Sequence, residues 1–285
     1  MFSRLQLRVR VVQRRMIIST SLTDRAFTSS FSDSSGVTGR PRKARALRII
    51  LIRHGESEGN INEEAYVDTP DWQIALTEKG KAQSREAGKR LKEILGPDES
   101  VFFYVSPYKR TIQTLEEIQK MLNPKSIWGV RHEPRIAEQQ FGNFQNVEAV
   151  QQAKVERKRF GRFFYRFPNG EAGLDVYNRV TSFTSTLFRD SQQLRGQGVN
   201  PERMNIVIIT HGLSIRLFLM RWFQFTVDDF EKSYNPSNAS LNIMERMENK
   251  HGNQWFEILP ETKKRLNLTF PSVQNKYKIA DDDGS

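Results

Sequence analysis

The tetrad Arg53-His54-Gly55-Glu56 stands directly after the apolar run LRIIL. An imidazole placed where a strand ends, flanked by Arg and Gly, is well built to attack a phosphoryl group. The strand fixes the ring, Gly55 lets the backbone come close, and Arg53 neutralises anionic charge. Alone, the tetrad reads equally well as an ordinary polar loop. Two more apolar runs, however, end in strings of the same chemistry: SPYKR (106–110) and THG (210–212). Ligands of open α/β sheets bind beyond the carboxyl ends of the strands, so all three strings deliver cationic or imidazole groups to one sheet edge. Arg110 lies in the first turn of its predicted helix, within reach of that edge. His211-Gly212 opens another helix, whose free N–H groups and positive dipole end favour a phosphate. Arg53, His54, Arg110 and His211 together make a cage suited to tetrahedral phosphoryl oxygens. Taken singly, Arg110 is a surface helix residue and His211 a core histidine; their shared position argues otherwise.

The elements that must carry these groups follow from periodicity. Residues 47–52, 101–106, about 126–131 and 204–210 read as strands. Helical spacing covers 76–95, with Leu76, Ala87, Leu91 and Leu95 apolar and Gly96-Pro97 as its stop. A helix over 106–122 takes Ser106 as N-cap and Pro107 as its first residue. Further helices are predicted over 147–166, 174–195 and 213–223. A terminal hairpin (240–247 and 253–259) closes through Lys250-His251-Gly252, and residues past about 260 read as a loose polar tail. Strands alternating with helices predict a three-layer α/β/α sandwich with a mostly parallel central sheet. The domain division expected is a basic extension (1–46), one folded domain (47–260) and the tail (261–285).

Composition narrows the chemistry. The chain has 285 residues and no cysteine, which excludes disulfides, cysteinyl metal sites and a thiol nucleophile. No stretch approaches the roughly 18–20 apolar residues of a membrane span, so no membrane partner is expected. The net charge of +11 is unevenly spread: residues 1–48 hold eleven Arg and Lys against Asp24 and Asp33, or +9, leaving +2 for the rest. The basicity belongs to the tail, so nucleic acid is not an expected partner. That tail is rich in Arg, Ser and Thr, and Leu5, Val9, Val12 and Met16 share one helical face. This is the composition of an organellar transit peptide, mitochondrial or plastid. A disordered basic extension on a cytoplasmic protein is the alternative.

The strings RHGESEGN, LTEKGKAQ, SPYKRTIQT, AEQQFGNFQ, FPNGEAGLDVYNRV and THGLSIRLFLMRWF resemble, in order, the motifs of the histidine phosphatase superfamily, in its phosphoglycerate mutase-like branch. The resemblance spans roughly 48–259. It implies the phosphoglycerate mutase-like fold, His54 as the phosphorylated nucleophile, and Arg53, Arg110, His211 and Asn60 in the phosphate pocket, beside Gly55 and Gly212. It makes Glu138 the proton donor and requires no metal or other cofactor. Physical chemistry supports these roles independently. In-line displacement at phosphorus needs a neutral imidazole nitrogen facing it, with the other ring nitrogen fixed by an acceptor such as a backbone carbonyl. An alkoxide leaves poorly, so a carboxylic acid must protonate it, and its conjugate base can then activate water. The charges of Arg53, Arg110 and His211 would stabilise the equatorial oxygens.

Three departures bear on activity. The mutases carry a basic residue directly after the proton donor, where this chain has Gln139. Their Arg-Arg, proline-rich insert has no counterpart between Asn143 and Pro168, and Ala172 stands where the phosphatase branch usually has Ser. The first two favour hydrolysis of a small phosphorylated metabolite over the mutase reaction, and the intact set His54, Arg110, Glu138 and His211 speaks against a non-catalytic phospho-ligand or protein-binding module. The segment 154–166 carries Lys154, Arg157, Lys158, Arg159, Arg162 and Arg166 against Glu156 alone. It reads either as a solvated face or as a lid recognising a second phosphate.

A fluorescent fusion of the first 48 residues is expected to enter an organelle, and a chain starting near Arg45 to fold and keep full activity. Diffuse cytosolic fluorescence would leave only the disordered-extension reading.

Overall fold

The computed structural model describes residues 45–142, 147–196 and 200–269. The transit-peptide expectation and the far end of the tail lie outside these residues. The chain begins with β1 (Arg48–Arg53), the short helices α1 (Glu58–Ile61) and α2 (Ala65–Asp68), and then α3 (Glu78–Ile94). β2 (Ser100–Val105), α4 (Lys109–Gln119), β3 (Ile127–His132), α5 (Val147–Phe160) and α6 (Gly173–Gly196) follow. β4 (Met204–Thr210), α7 (Gly212–Phe223), α8 (Val227–Lys232), the hairpin β5 (Leu241–Glu248) and β6 (Gln254–Ile258), and α9 (Pro260–Arg265) complete it.

The strands form one sheet in the order β3-β2-β4-β1-β5-β6. β3, β2, β4 and β1 are parallel, and β5 turns back antiparallel on β1 and β6 on β5. Both faces are covered, as the near-continuous apolar runs of the inner strands require. Ile49 and Leu51 of β1 join Ile206 and Ile208 of β4, Phe183 of α6 and Leu217 of α7 in one core. Ile50, Ile52, Val207 and Ile209 join Leu91 of α3 and Leu115 and Ile118 of α4 in the other. The three-layer sandwich expected from the alternation of elements is therefore the observed fold.

The departures are local and have physical causes. Helix α4 starts at Lys109 with Tyr108 as N-cap, two residues later than expected, because Ser106 is held by the site. The basic segment is helical only to Phe160; Gly161, at φ +89°, ends it. The polar end is not loose from 260: Leu266 and Leu268 are buried in the core with α6 and α7, so the folded part reaches at least residue 268.

One close approach ties a helix to the strand-end loop. A Cβ on Gly80, in the first turn of α3, would lie 1.9 Å from the Glu56 carbonyl oxygen, and one on Gly55 would lie 2.3 Å from that of Gly80. Thr77 caps α3 through Gly80 N–H at 3.0 Å, fixing this contact. Gly80→Ala is expected to destabilise the fold by about 3 kcal/mol, the upper end of overpacking costs, and to lower activity by displacing the His54 loop. An unchanged urea midpoint would show that the loop moves without cost.

Candidate active site

Parallel register brings the chemistry together. Arg53 of β1 is paired with Thr210 of β4, so the next residues, His54 and His211, leave adjacent strands side by side. Their ring centroids are 5.2 Å apart. β2 ends beside them at Ser106, whose hydroxyl lies 2.9 Å from His211 Nε2. Arg110 reaches in from the first turn of α4, and the loop after β3 brings Glu138. Four of the residues singled out by sequence (Arg53, His54, Arg110 and His211), together with Glu138, therefore converge.

His54 is buried, and its Nδ1 lies 2.7 Å from the Gly55 carbonyl oxygen. A carbonyl only accepts, so Nδ1 carries the proton and Nε2 keeps its lone pair. Burial, then Arg110 and Arg53, holds the His54 pKa well below the usual imidazole value. The neutral ring is thus the favoured form. His211 is held down as strongly, by burial first and by Arg110 next. Burial and the neighbouring cations therefore disfavour the charge that the sequence reading gave to His211.

Within the cluster, two buried nitrogens have no hydrogen-bond partner among the described residues, His211 Nδ1 and Arg53 Nε. His211 Nδ1 lies 3.6 Å from a Glu138 carboxylate oxygen, and Arg53 spends one Nη on the Pro236 carbonyl at 2.8 Å. Unmet buried polar groups are costly and rare, and these two belong to the cluster that suits an anion. Glu138 accepts from the Gln139 N–H at 3.0 Å. Burial raises its pKa above the ordinary carboxyl value, against the opposing pull of Arg110 and that N–H. His54, Glu138 and His211 have ligand atoms within 4.8 Å of one another, a spacing that could hold a metal ion. The cationic Arg53 and Arg110 that depress both imidazoles favour a phosphoryl group there over a cation.

Arg110 is almost fully buried, with Nη1 donating at 2.7 Å to both the backbone and the side-chain oxygen of Asp71. Burial lowers its pKa, but Asp71 and Glu138 outweigh that and the net shift is upward. Gly55 N–H donates to Thr114 at 3.0 Å. Gly212 sits so close to Asn235 that a Cβ would lie 2.3 Å from its Oδ1, which seats the start of α7. Asn60 is exposed, and its Oδ1 accepts from Ser57 N–H and from Asn238, which also donates to the His54 carbonyl. It braces the rim rather than lining the cluster's floor.

Sequence reasoning missed three supports. Asp71 gave no signal beyond a turn-like Thr-Pro-Asp. Ser106 was read as a cap. Arg179 donates to the carbonyls of Arg135, Ala137 and Glu138 at 2.7–3.0 Å and to both carboxylate oxygens of Glu171 at 3.1 Å. It clamps the loop that presents Glu138, an arrangement legible only from the fold. Ala172 is buried, and its backbone N–H donates to Asp175 at 2.7 Å. Of the basic segment, Arg157 comes nearest the site, donating to Gln139 at 3.3 Å. Lys154 pairs with Glu63, while Lys158 and Arg159 are exposed.

Buried imidazoles thus lie at the carboxyl edge of a parallel sheet, caged by guanidinium groups, in an α/β protein whose site suits a phosphoryl group. The sequence model of the histidine phosphatase superfamily (branch 1) matches residues 49–257, and the chain belongs to that family. It is 49% identical over 212 residues to the phosphoglycerate mutase-like protein AT74H of Arabidopsis thaliana, covering 72% of this chain and 75% of that one. It is 30% identical to the broad-range acid phosphatase DET1 of Saccharomyces cerevisiae, covering 80% and 94%. Among solved structures, mycobacterial hydrolase 1 superposes with a TM-score of 0.57 at 20% identity, over 75% of this chain and 97% of the other. Mycobacterial glucosyl-3-phosphoglycerate phosphatase does so with a TM-score of 0.54 at 19% identity, over 75% and 98%. These superpositions show the shared fold.

Imidazole nitrogen NMR is expected to find His54 as the neutral Nδ1–H tautomer, with both His54 and His211 still uncharged below the ordinary imidazole pKa of about 6.5. Lowered values move protonation to more acidic pH. Titration of either ring at or above 6.5 would show that burial and the arginines do not control it.

Proposed function

We propose that this protein is a phosphomonoesterase that hydrolyses a small phosphorylated metabolite through phosphohistidine on His54. The observation that carries the reading is the pairing of opposite protonation states. A neutral His54 with a free Nε2 faces the same small space as a carboxyl, Glu138, whose pKa is raised. Nε2 attacks phosphorus as the ester oxygen departs opposite to it, and Glu138 gives that oxygen its proton. The resulting carboxylate then takes a proton from water, which attacks the phosphohistidine and releases inorganic phosphate. Arg53, Arg110 and the N–H of His211 stabilise the charge on the transferring group. As the pKa of Glu138 is raised, alkyl-ester turnover falls on the alkaline side as its acid form is lost. The depressed His54 pKa keeps the nucleophile competent into the acid range.

The mutase alternative loses support at Gln139. Its side chain is fully buried, donates to the Glu171 carbonyl at 2.8 Å and accepts from Arg157. It therefore offers no cation to a carboxylate-bearing substrate. A binding module would have no use for a protonatable Glu138. The likeness to a protein named as a broad-range acid phosphatase also supports hydrolysis.

Rapid-quench labelling is expected to trap an acid-labile, base-stable phosphoenzyme that His54→Ala abolishes together with turnover. Glu138→Gln is expected to cut alkyl phosphate turnover by about 10²–10⁴, and to spare the first step with an aryl phosphate, whose leaving group needs less help. Full activity of His54→Ala would overturn the mechanism, and equal losses on both esters would remove Glu138 as the acid.

A further inference from the structure

Beside the cluster lies a cavity of about 480 Å³, within the size range of small-molecule sites. Its walls include Tyr66, Asp68, Asp71, Trp72, Tyr108 and Phe141. Two of these also touch the phosphate cluster. Asp71 holds Arg110, and the Tyr108 ring lies 5.1 Å from that of His211 and 4.9 Å from the Arg110 guanidinium carbon. The cavity is therefore where the rest of a phosphomonoester would extend once its phosphate sits against His54.

The wall chemistry is the reverse of what a second anionic group needs. Among the described residues no Lys, Arg or His lines the cavity, while two carboxylates do. Asp71 is spent on Arg110, but Asp68 is exposed and faces no cation from the lining. The basic helix α5 does not change this balance. Its Arg157 lies 5.9 Å from the Phe141 ring and bonds Gln139, so it supports the wall without lining it. Meanwhile four of the lining side chains are aromatic, and aromatic faces favour stacking on planar groups. The Tyr108 hydroxyl, whose pKa burial pushes up to about 12, keeps its proton to donate to ester or ring oxygens.

We infer that this cavity is the leaving-group subsite, and that it selects phosphomonoesters whose leaving group carries a planar ring and no second anionic charge. The inference rests on the phosphatase reading above and gives it a substrate class. It also reverses the expectation of a lid selecting bisphosphates.

The test compares esters of similar intrinsic reactivity, using the full chain. In the wild type, kcat/KM for 2-phenylethyl phosphate is expected to exceed that for propyl phosphate by about 10-fold. That for 3-phosphoglycerate is expected to fall below that for glycerol phosphate. Trp72→Ala should bring the ring preference close to unity. Asp68→Lys should raise the 3-phosphoglycerate to glycerol phosphate ratio by about threefold, the scale of an exposed charge pair. Trp72 is 55% exposed and Asp68 is exposed, so both variants are expected to fold, which a thermal melt checks. A wild-type preference for 3-phosphoglycerate or a bisphosphate, or ratios that neither variant moves, would overturn the subsite. If no ester is hydrolysed and no phosphoenzyme forms, the phosphatase reading fails separately. Calorimetric binding of 2-phenylethylphosphonate against propylphosphonate then decides the subsite: tighter ring binding lost in Trp72→Ala supports it, and equal binding overturns it.

Discussion

A neutral imidazole held against two guanidinium groups is the constraint on which the rest of this site depends. Water would protonate such a ring readily near neutral pH; burial and the like charges of Arg53 and Arg110 forbid it. Among the described residues His211 Nδ1 and Arg53 Nε are buried without hydrogen-bond partners, and burying an unpaired polar group costs about 1–3 kcal/mol. A dianionic phosphoryl group would offer an acceptor to Arg53 and counter-charge to both arginines.

Such a strained cluster persists only where its supports cannot relax. The His54 loop is pinned between the sheet and α3 by backbone contacts too tight for a Cβ at Gly55 or Gly80, and by Thr114 and Asn238. Glu138 sits on irregular backbone, which by itself would drift. Arg179 holds it by gathering the carbonyls of Arg135, Ala137 and Glu138 and the Glu171 carboxylate on one guanidinium. Thr210 and Ser214 add hydrogen bonds to the carbonyls of Ile136 and Ala137. The planar, multidentate geometry of arginine suits this task in a way a lysine would not match.

The parts of this architecture that were legible in the chain are those governed by local rules. β-branched runs ending in RHG, SPYKR and THG announced strands, a shared edge and the groups that cluster there, because strand direction alone fixes where such residues emerge. The supports were not legible, since they join residues remote in sequence: Arg110 with Asp71, Ser106 with His211, Arg179 with the Glu138 loop. Ser106-Pro107 satisfied every local rule for a helix start, yet the serine serves His211 and the helix begins later. Leu266 and Leu268 looked like tail because their polar neighbours hide a short apolar pair that docks into the core. The charge state of His211 also escaped a reading by residue type, because it depends on burial and on neighbours brought by other strands.

Charge in this site is layered rather than merely abundant. Arginines lie deep, at the sheet edge, while the cavity outside them is walled by aromatic rings and carboxylates. Under the proposed reaction that layering separates two demands that a mutase has to meet together. A mutase must hold an anionic leaving group long enough to return the phosphate to it, which calls for a cation beyond the reacting phosphorus. Here the position after Glu138 is a buried glutamine, and the basic residues of α5 are turned to structural use or to solvent. In the proposed reaction, a cavity whose described lining holds no cation would not retain an anionic partner once Glu138 had protonated the leaving oxygen, and the phosphohistidine would meet water instead.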